Sequence, residues 1–365
     1  MDPRQRAGEP ASAPASEPVA VDAVVIGAGP VGLFQVFELG LLDIRAHVID
    51  ALPHIGGQPV ELYPDKPIYD IPGVPVCTGQ GLVDALRQQC APFSPVFHLG
   101  QTVRELERQA DGRFLVGTSK GIRLVAKTVF IAAGVGAFEP RRLGVDGLDV
   151  FEDSQLFFRA SDAGALNGRH VLIVGDDEQA IECALGLSDG SDDRPASVTL
   201  VHRRDSFRAD PQRVALMRER CAQGAMRFVA GQMTGFKTQE ERLSSVDLAQ
   251  PDGTNIELPL DRLLVLQGLS PRLGPIAAWG LAMERKQLVV DTATYSTSER
   301  DIFAVGDINT YAGKRKLLVC GFHECTLAAY AAAPIVHPNR PVLLQYTTTS
   351  THLHQLLQVH NAHKE

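Results

Sequence analysis

The sequence predicts an α/β fold of two Rossmann-like domains, three-layer ββα in type, with the second inserted in the first. Three observations predict it. A β-branched apolar run at Val21 to Ile26 enters a glycine turn and is followed by an acidic residue about 20 positions on. A second strand–turn–helix beginning recurs near residue 170. A third apolar run, Asp301 to Asp307, stops at Gly-Asp only after that second beginning, so the first domain resumes after the insertion.

In the first beginning, Val21 to Ile26 is long enough for a buried parallel strand. It enters Gly27-Ala28-Gly29-Pro30-Val31-Gly32, a helix over about 31–41, and a second strand over 46–49 that ends at Asp50. Gly27 allows the tight turn, Gly29 lets the backbone approach a pyrophosphate, and Gly32 lets helix and strand pack closely. The helix N-terminus then offers N–H groups to a diphosphate. Asp50 stands where a carboxylate meets ribose hydroxyls. Strand, turn, helix and acid together make this a dinucleotide site.

The second beginning is Arg169-His170-Val171-Leu172-Ile173-Val174-Gly175, then Asp176-Asp177-Glu178-Gln179-Ala180. A strand over 198–201 leads into His202-Arg203-Arg204-Asp205-Ser206-Phe207-Arg208. Guanidinium groups after such a strand fit a 2′-phosphate, which they bind with two parallel hydrogen bonds. Strands are also expected over 112–116 and 122–125 around tight turns, and another over 128–133. Asp307 ends its strand where a carboxylate can meet a polyol hydroxyl, and a helix is expected over 322–335.

Composition sets outer limits. The 365 residues suit two or more domains and a large core. A formal charge of −8 argues against a general nucleic-acid binder. The six cysteines form no C-x-x-C pair and no cluster with histidine, so neither a metal site nor a redox dithiol is indicated, and they suit a reducing cytosol. No apolar run is read as a membrane span. Residues 1–19, rich in Ala, Pro, Ser and Glu, read as a disordered tail without a targeting pattern. A cytoplasmic location follows as an expectation.

Several stretches carry a resemblance to a known family: GAGPVGLF (27–34), GGQPVELYPDKPIYDIPG (56–73), FIAAGVGAFEPRRL (130–143), HRRDSFRA (202–209), LSPRLGPIAAWGL (269–281) and FAVGDINTYAGKRKL (303–317). From about residue 20 to about 355 the chain resembles ferredoxin–NADP reductases of the thioredoxin-reductase-like type, FAD-dependent homodimers. The resemblance implies an FAD domain at 20–145 and 292–340, an NADPH domain at 146–291, and a C-terminal extension at 341–365 toward the partner subunit. For FAD it implies roles for Gly27, Gly29, Gly32 and Asp50, for Gln58 at the flavin end, and for Tyr63 packed on the ring system. Val103 corresponds to a backbone contact to adenine, Phe138 to the residue beside the flavin, and Asp307 to the ligand of the ribityl chain. Tyr346, with Thr349 after it, corresponds to the group laid over the flavin from the partner. Gly175, Arg203, Arg204 and Arg208 would hold NADPH.

The implied chemistry needs no catalytic side chain. FAD takes a hydride from NADPH and passes single electrons to ferredoxin or flavodoxin. The helix from about Phe322 is expected to set its N–H end near the flavin pyrimidine. Lys314-Arg315-Lys316 and Arg141-Arg142 are expected to form a basic patch for an acidic carrier. Two features depart from relatives. No cysteine lies in 140–170, which excludes thioredoxin-reductase chemistry. Where relatives carry G-G-G-D-S-A, this chain has Gly175-Asp176-Asp177-Glu178-Gln179-Ala180, so Asp177 is expected to obstruct the pyrophosphate. That leaves an alternative: a flavoprotein with a degraded NADPH site, acting as an electron carrier or redox-responsive binding partner.

Overall fold

The computed structural model describes residues 17–189, 194–342 and 346–357. Most of the expected N-terminal tail and parts of the C-terminal extension lie outside the described residues. The chain forms two compact units: residues 1–137 with 271–365, and residues 138–270. The second unit was expected at 146–291, but Ile276, Leu281, Leu288 and Val290 bury their side chains in the first unit's core. The stretch after Ser270 therefore belongs to the first unit.

In the first unit the strands run Val96–His98, Ala46–Ile49, Val19–Ile26, Arg123–Ile131, Phe114–Thr118, Val103–Arg108, with Ile302–Ala304 also on Arg123–Ile131. Val19–Ile26 is parallel to both its neighbours, with Ile26 opposite Ile49 on one side and Ile131 on the other. Two strands expected over 122–125 and 128–133 are one. The first half of Arg123–Ile131 pairs antiparallel with Phe114–Thr118, and its second half pairs parallel with Ile302–Ala304. Lys127 interrupts the apolar run without ending the strand: its side chain stays 41% exposed, with the ammonium 2.8 Å from Asp22 Oδ1. The strand that resumes after the insertion is thus zipped into the sheet that opened the chain.

Helices Pro30–Leu41, Gly79–Cys90 and Leu318–Val336 pack alongside this sheet. The last begins four residues earlier than expected, since nothing at Leu317 marks a cap. By length and composition it is the one described helix apolar enough to cross a membrane, contrary to the reading of the sequence. Its apolar face has a partner in the fold. Phe322 meets Phe34 at 4.9 Å between ring centres, and Gln35 Nε2 donates to the Cys325 carbonyl at 3.3 Å.

The second unit holds a parallel sheet in the order Leu156–Phe157, Arg262–Val265, His170–Val174, Ser197–His202, Arg227–Ala230, and a separate antiparallel sheet of three strands over 232–259. Alternate residues of the parallel strands face two cores. Leu172, Val174, Leu263 and Val265 join one, while Val171, Ile173 and Leu264 join the other with helix Glu178–Leu187. Burial on both faces explains their unbroken apolar runs.

Candidate functional site

The first site is built where strand Val19–Ile26 passes into helix Pro30–Leu41. Gly27 has φ +115°, and a Cβ there would lie 2.4 Å from the Ala132 carbonyl oxygen. A Cβ on Gly32 would lie 1.9 Å from the Gly27 oxygen, so only glycine allows this approach. Gly29 is different: its φ is an ordinary −74°, and a Cβ would meet nothing nearer than Gly57 Cα at 3.8 Å. The helix has no side-chain cap and no acid in its first turn. Its first N–H groups and the bare cradle at Gly29 fit a diphosphate.

Asp50 fastens this turn. Its Oδ2 accepts from the Ala28 N–H at 2.5 Å and its Oδ1 from the Leu52 N–H at 2.8 Å. Burial pushes its carboxyl up, and the two N–H donors pull it down. The Gln101 N–H donates to the Asp50 carbonyl at 3.0 Å, which hangs the segment leading to buried Val103 on the same point. On the other side, the Gly56 N–H donates to the Ala28 carbonyl at 3.0 Å. A Cβ on Gly57 would lie 2.9 Å from Gly29 Cα, so this second glycine pair packs on the first and starts the short helix carrying Gln58. Tyr63 ends that helix, and its phenol is pushed up by burial first and then by the Asp307 carboxylate. Asp307 follows Gly306, where a Cβ would touch Val31 of the helix's first turn at 3.2 Å. Burial pushes the Asp307 carboxyl up, opposed by the charges of Lys314 and Lys316. The structure therefore brings Gly27, Gly29, Gly32, Asp50, Gln58, Tyr63, Val103 and Asp307 around one turn.

Tyr346 and Thr349 are not brought there. Tyr346 is 65% exposed. The helix Thr351–Leu356 behind it is tied by His352, with Arg340, to Asp43. Asp43 lies beyond the C-terminal end of helix Pro30–Leu41, about 18 Å along its axis from the glycine turn. Phe138 is the first residue of the second unit.

Sequence reasoning missed the group that holds Asp307 in place. Glu324 is buried; its Oε2 accepts from the Gly306 N–H at 2.7 Å and from Asn309 Nδ2 at 2.8 Å. Its Oε1 takes the Tyr311 hydroxyl at 3.0 Å and the Lys314 ammonium. A lone acid inside an apolar helix was the available signal. The expected basic patch needs correction accordingly. Lys314 is an interior group, and Arg142 is held by Asp149 and Glu152 at 2.7 Å each. Arg315 and Lys316 are exposed.

The second site has the same frame and a different filling. A Cβ on Gly175 would lie 2.1 Å from the Leu266 oxygen, so the turn needs its glycine. Each following acid has a partner. Asp176 takes the Arg208 guanidinium in a fork, 2.9 Å from Nε and 2.7 Å from Nη2, and this pair holds its carboxyl below the usual range. Asp177 is the N-cap of helix Glu178–Leu187, accepting from the Ala180 N–H at 3.2 Å. Glu178 accepts from the Asp210 N–H and pairs with Arg213, each at 2.7 Å. Asp177 thus occupies one of the N–H positions that the first helix leaves open. Arg203 and Arg204 are exposed, and the charge of Arg203 adds to that of Arg208 in holding the Asp176 carboxyl low.

The family profile of pyridine nucleotide-disulphide oxidoreductases matches residues 21–333. A ferredoxin–NADP reductase of Albidiferax ferrireducens is 58% identical over 343 residues, covering 94% of this chain and 97% of its own. That of Polaromonas naphthalenivorans is 56% identical over 342 residues, covering 94% and 93%. Among solved structures, thioredoxin reductase of Lactococcus lactis has a TM-score of 0.55 at 21% identity, over 87% of this chain and 99% of that one, a likeness of fold alone. The chain belongs to the pyridine nucleotide-disulphide oxidoreductases, in the branch of the ferredoxin–NADP reductases with a thioredoxin-reductase-like fold.

Proposed function

We propose that this chain is an NADPH-dependent FAD enzyme that exchanges electrons with ferredoxin. The observation that carries the FAD reading is the uncapped helix Pro30–Leu41 meeting Gly29, Gly57 and Asp50. The name shared by relatives above 50% identity carries the acceptor. Bound FAD supplies hydride acceptance from NADPH and single-electron release. The chain's own residues do the rest. Gly29 and the first helical turn hold the diphosphate, Asp50 fixes the turn against the ribose, and Asp307 meets the ribityl chain. Arg203, Arg204 and Arg208 hold the 2′-phosphate of NADPH.

Flavodoxin is an equivalent acceptor in this reading, since the step asks only for an acidic one-electron carrier. The working form is a homodimer, supported by Tyr346: its own chain anchors the C-terminal segment at the far end of the first helix, so its role over a flavin falls to the partner's site. The cytosol is the proposed location, supported by six cysteines that are all free thiols.

A second reading, the flavoprotein with a degraded NADPH site, is favoured by Asp177 in the second glycine turn. Anaerobic addition of NADPH to the purified yellow holoenzyme separates the two. Rapid bleaching of the flavin band supports the reductase. A band that dithionite bleaches and NADPH leaves intact supports the second reading.

A further inference from the structure

Asp176 and Arg208 are joined three times. Besides the two side-chain hydrogen bonds, the Arg208 N–H donates to the Asp176 carbonyl at 2.7 Å. The fork therefore sits on a fixed backbone hinge, 32 residues across the chain. His202 closes the other side, with Nε2 3.7 Å from Asp176 Oδ2. The carboxylate is well covered, its side chain 16% exposed, while that of Arg208 is 63% exposed. Arg208 thus offers an open guanidinium whose Nε–Nη2 edge is already taken by a two-oxygen anion. A carboxylate and a phosphate compete for the same guanidinium geometry.

We propose that Asp176 is a built-in stand-in for the adenosine 2′-phosphate: it occupies the Arg208 fork, and a 2′-phosphorylated nucleotide must displace it. This rests on the second unit being the NADPH site. Asp176 then sets how strongly the site selects a 2′-phosphate over a 2′-hydroxyl, with Arg203 and Arg204, exposed on the same turn, supplying further positive charge. Turning the carboxylate into an amide leaves one acceptor where there were two, so the fork loosens, and it removes a negative charge beside the incoming phosphate.

Calorimetric titration of the FAD-loaded protein with 2′,5′-ADP and with 5′-AMP tests this without turnover. Asp176→Asn should tighten 2′,5′-ADP by about five- to tenfold and 5′-AMP by less than about threefold. The gain for 2′,5′-ADP should shrink when the same substitution is made beside Arg208→Gln, because no fork is left to loosen. Unchanged or weakened 2′,5′-ADP binding in Asp176→Asn, with the wild type binding it, overturns the proposal and makes the carboxylate a positioning group for Arg208. Failure of 2′,5′-ADP to bind either protein, with a flavin that NADPH does not bleach, removes the NADPH reading and this proposal with it.

Discussion

Lys314 and Glu324 form an ion pair in the interior of the first unit, with 7% and 0% of their side chains exposed. The pair holds both sides of the Gly306–Asp307 turn, since Lys314 Nζ also donates to the Gly306 carbonyl at 2.9 Å and Glu324 takes the Gly306 N–H. Removing one partner leaves a buried charge uncompensated, which costs roughly 3–5 kcal/mol. Lys314→Met should therefore lower the melting temperature by roughly 10 °C and weaken FAD retention. A thermal melt followed by flavin release checks it, and a melt within about 2 °C of wild type would show the pair to be dispensable.

Charge reversal at Arg315 and Lys316 tests the part of the basic segment that faces solvent. If these residues steer an acidic carrier, the double change should slow ferredoxin reduction severalfold at low salt and little at high salt. Turnover with a small neutral acceptor should fall far less, since Lys316 reaches Asp307 only through its charge and Lys314 stays in place. Equal loss with both acceptors would place the damage at the flavin, and no loss with ferredoxin would remove Arg315 and Lys316 from docking.

The contrast between these neighbours shows what was legible. Strand, glycine turn and acid at 21–50 could be read because each signal is local: a period, a turn residue, a spacing. Lys314-Arg315-Lys316 reads as three equal surface charges, and only folding separates them, since the partner of the first lies ten residues on in another element. The three acids at 176–178 misled in a similar way. Sequence counts them as free charges at an anion site, whereas Arg208, the Ala180 N–H and Arg213 satisfy them in turn. The merged strand Arg123–Ile131 is hidden in the sequence because Lys127 breaks the apolar pattern, whereas in the fold its side chain stays 41% exposed beside Asp22 of the neighbouring strand.

Gly29 and Gly32 should separate cofactor binding from folding. Gly32→Ala places a Cβ 1.9 Å from the Gly27 oxygen, so strand and helix must part and soluble protein should fall. Gly29→Ala has room, with 3.8 Å to the nearest atom, but projects into the diphosphate cradle. It should give folded protein that purifies colourless or with weakly held FAD. Yellow Gly29→Ala protein with wild-type FAD affinity would remove the diphosphate from this turn.

Glu38 gives stability a pH dependence of known sign. Burial raises its carboxyl to about 7 from 4.5, with the Thr326 hydroxyl opposing. Between those values the folded chain keeps a proton that the unfolded chain has released, so stability falls as pH rises from about 4.5 to about 7 and then levels. Asp50 and Asp307 are also raised and share that direction, so the test compares variants. The unfolding free energy of Glu38→Gln from urea titrations should lose part of the wild-type decline, on the order of 3 kcal/mol by pH 8. Parallel curves for the two proteins would show that Glu38 ionises without cost.

Asp177→Gly asks whether the helix cap or the cofactor owns the second anion site. The carboxylate caps the Ala180 N–H, and replacing such a cap by glycine costs only a few tenths of a kcal/mol. Stability should therefore change little. The pyrophosphate gains both the freed N–H group and relief from a charge about 6 Å away, worth roughly 2–3 kcal/mol at an effective dielectric near 20. The Michaelis constant for NADPH should fall by about tenfold or more. Asp176 stays in place in this variant, so the gain should appear for 5′-AMP as well as for 2′,5′-ADP, unlike the gain from loosening the Arg208 fork. An unchanged Michaelis constant would mean that the pyrophosphate passes the cap without meeting it.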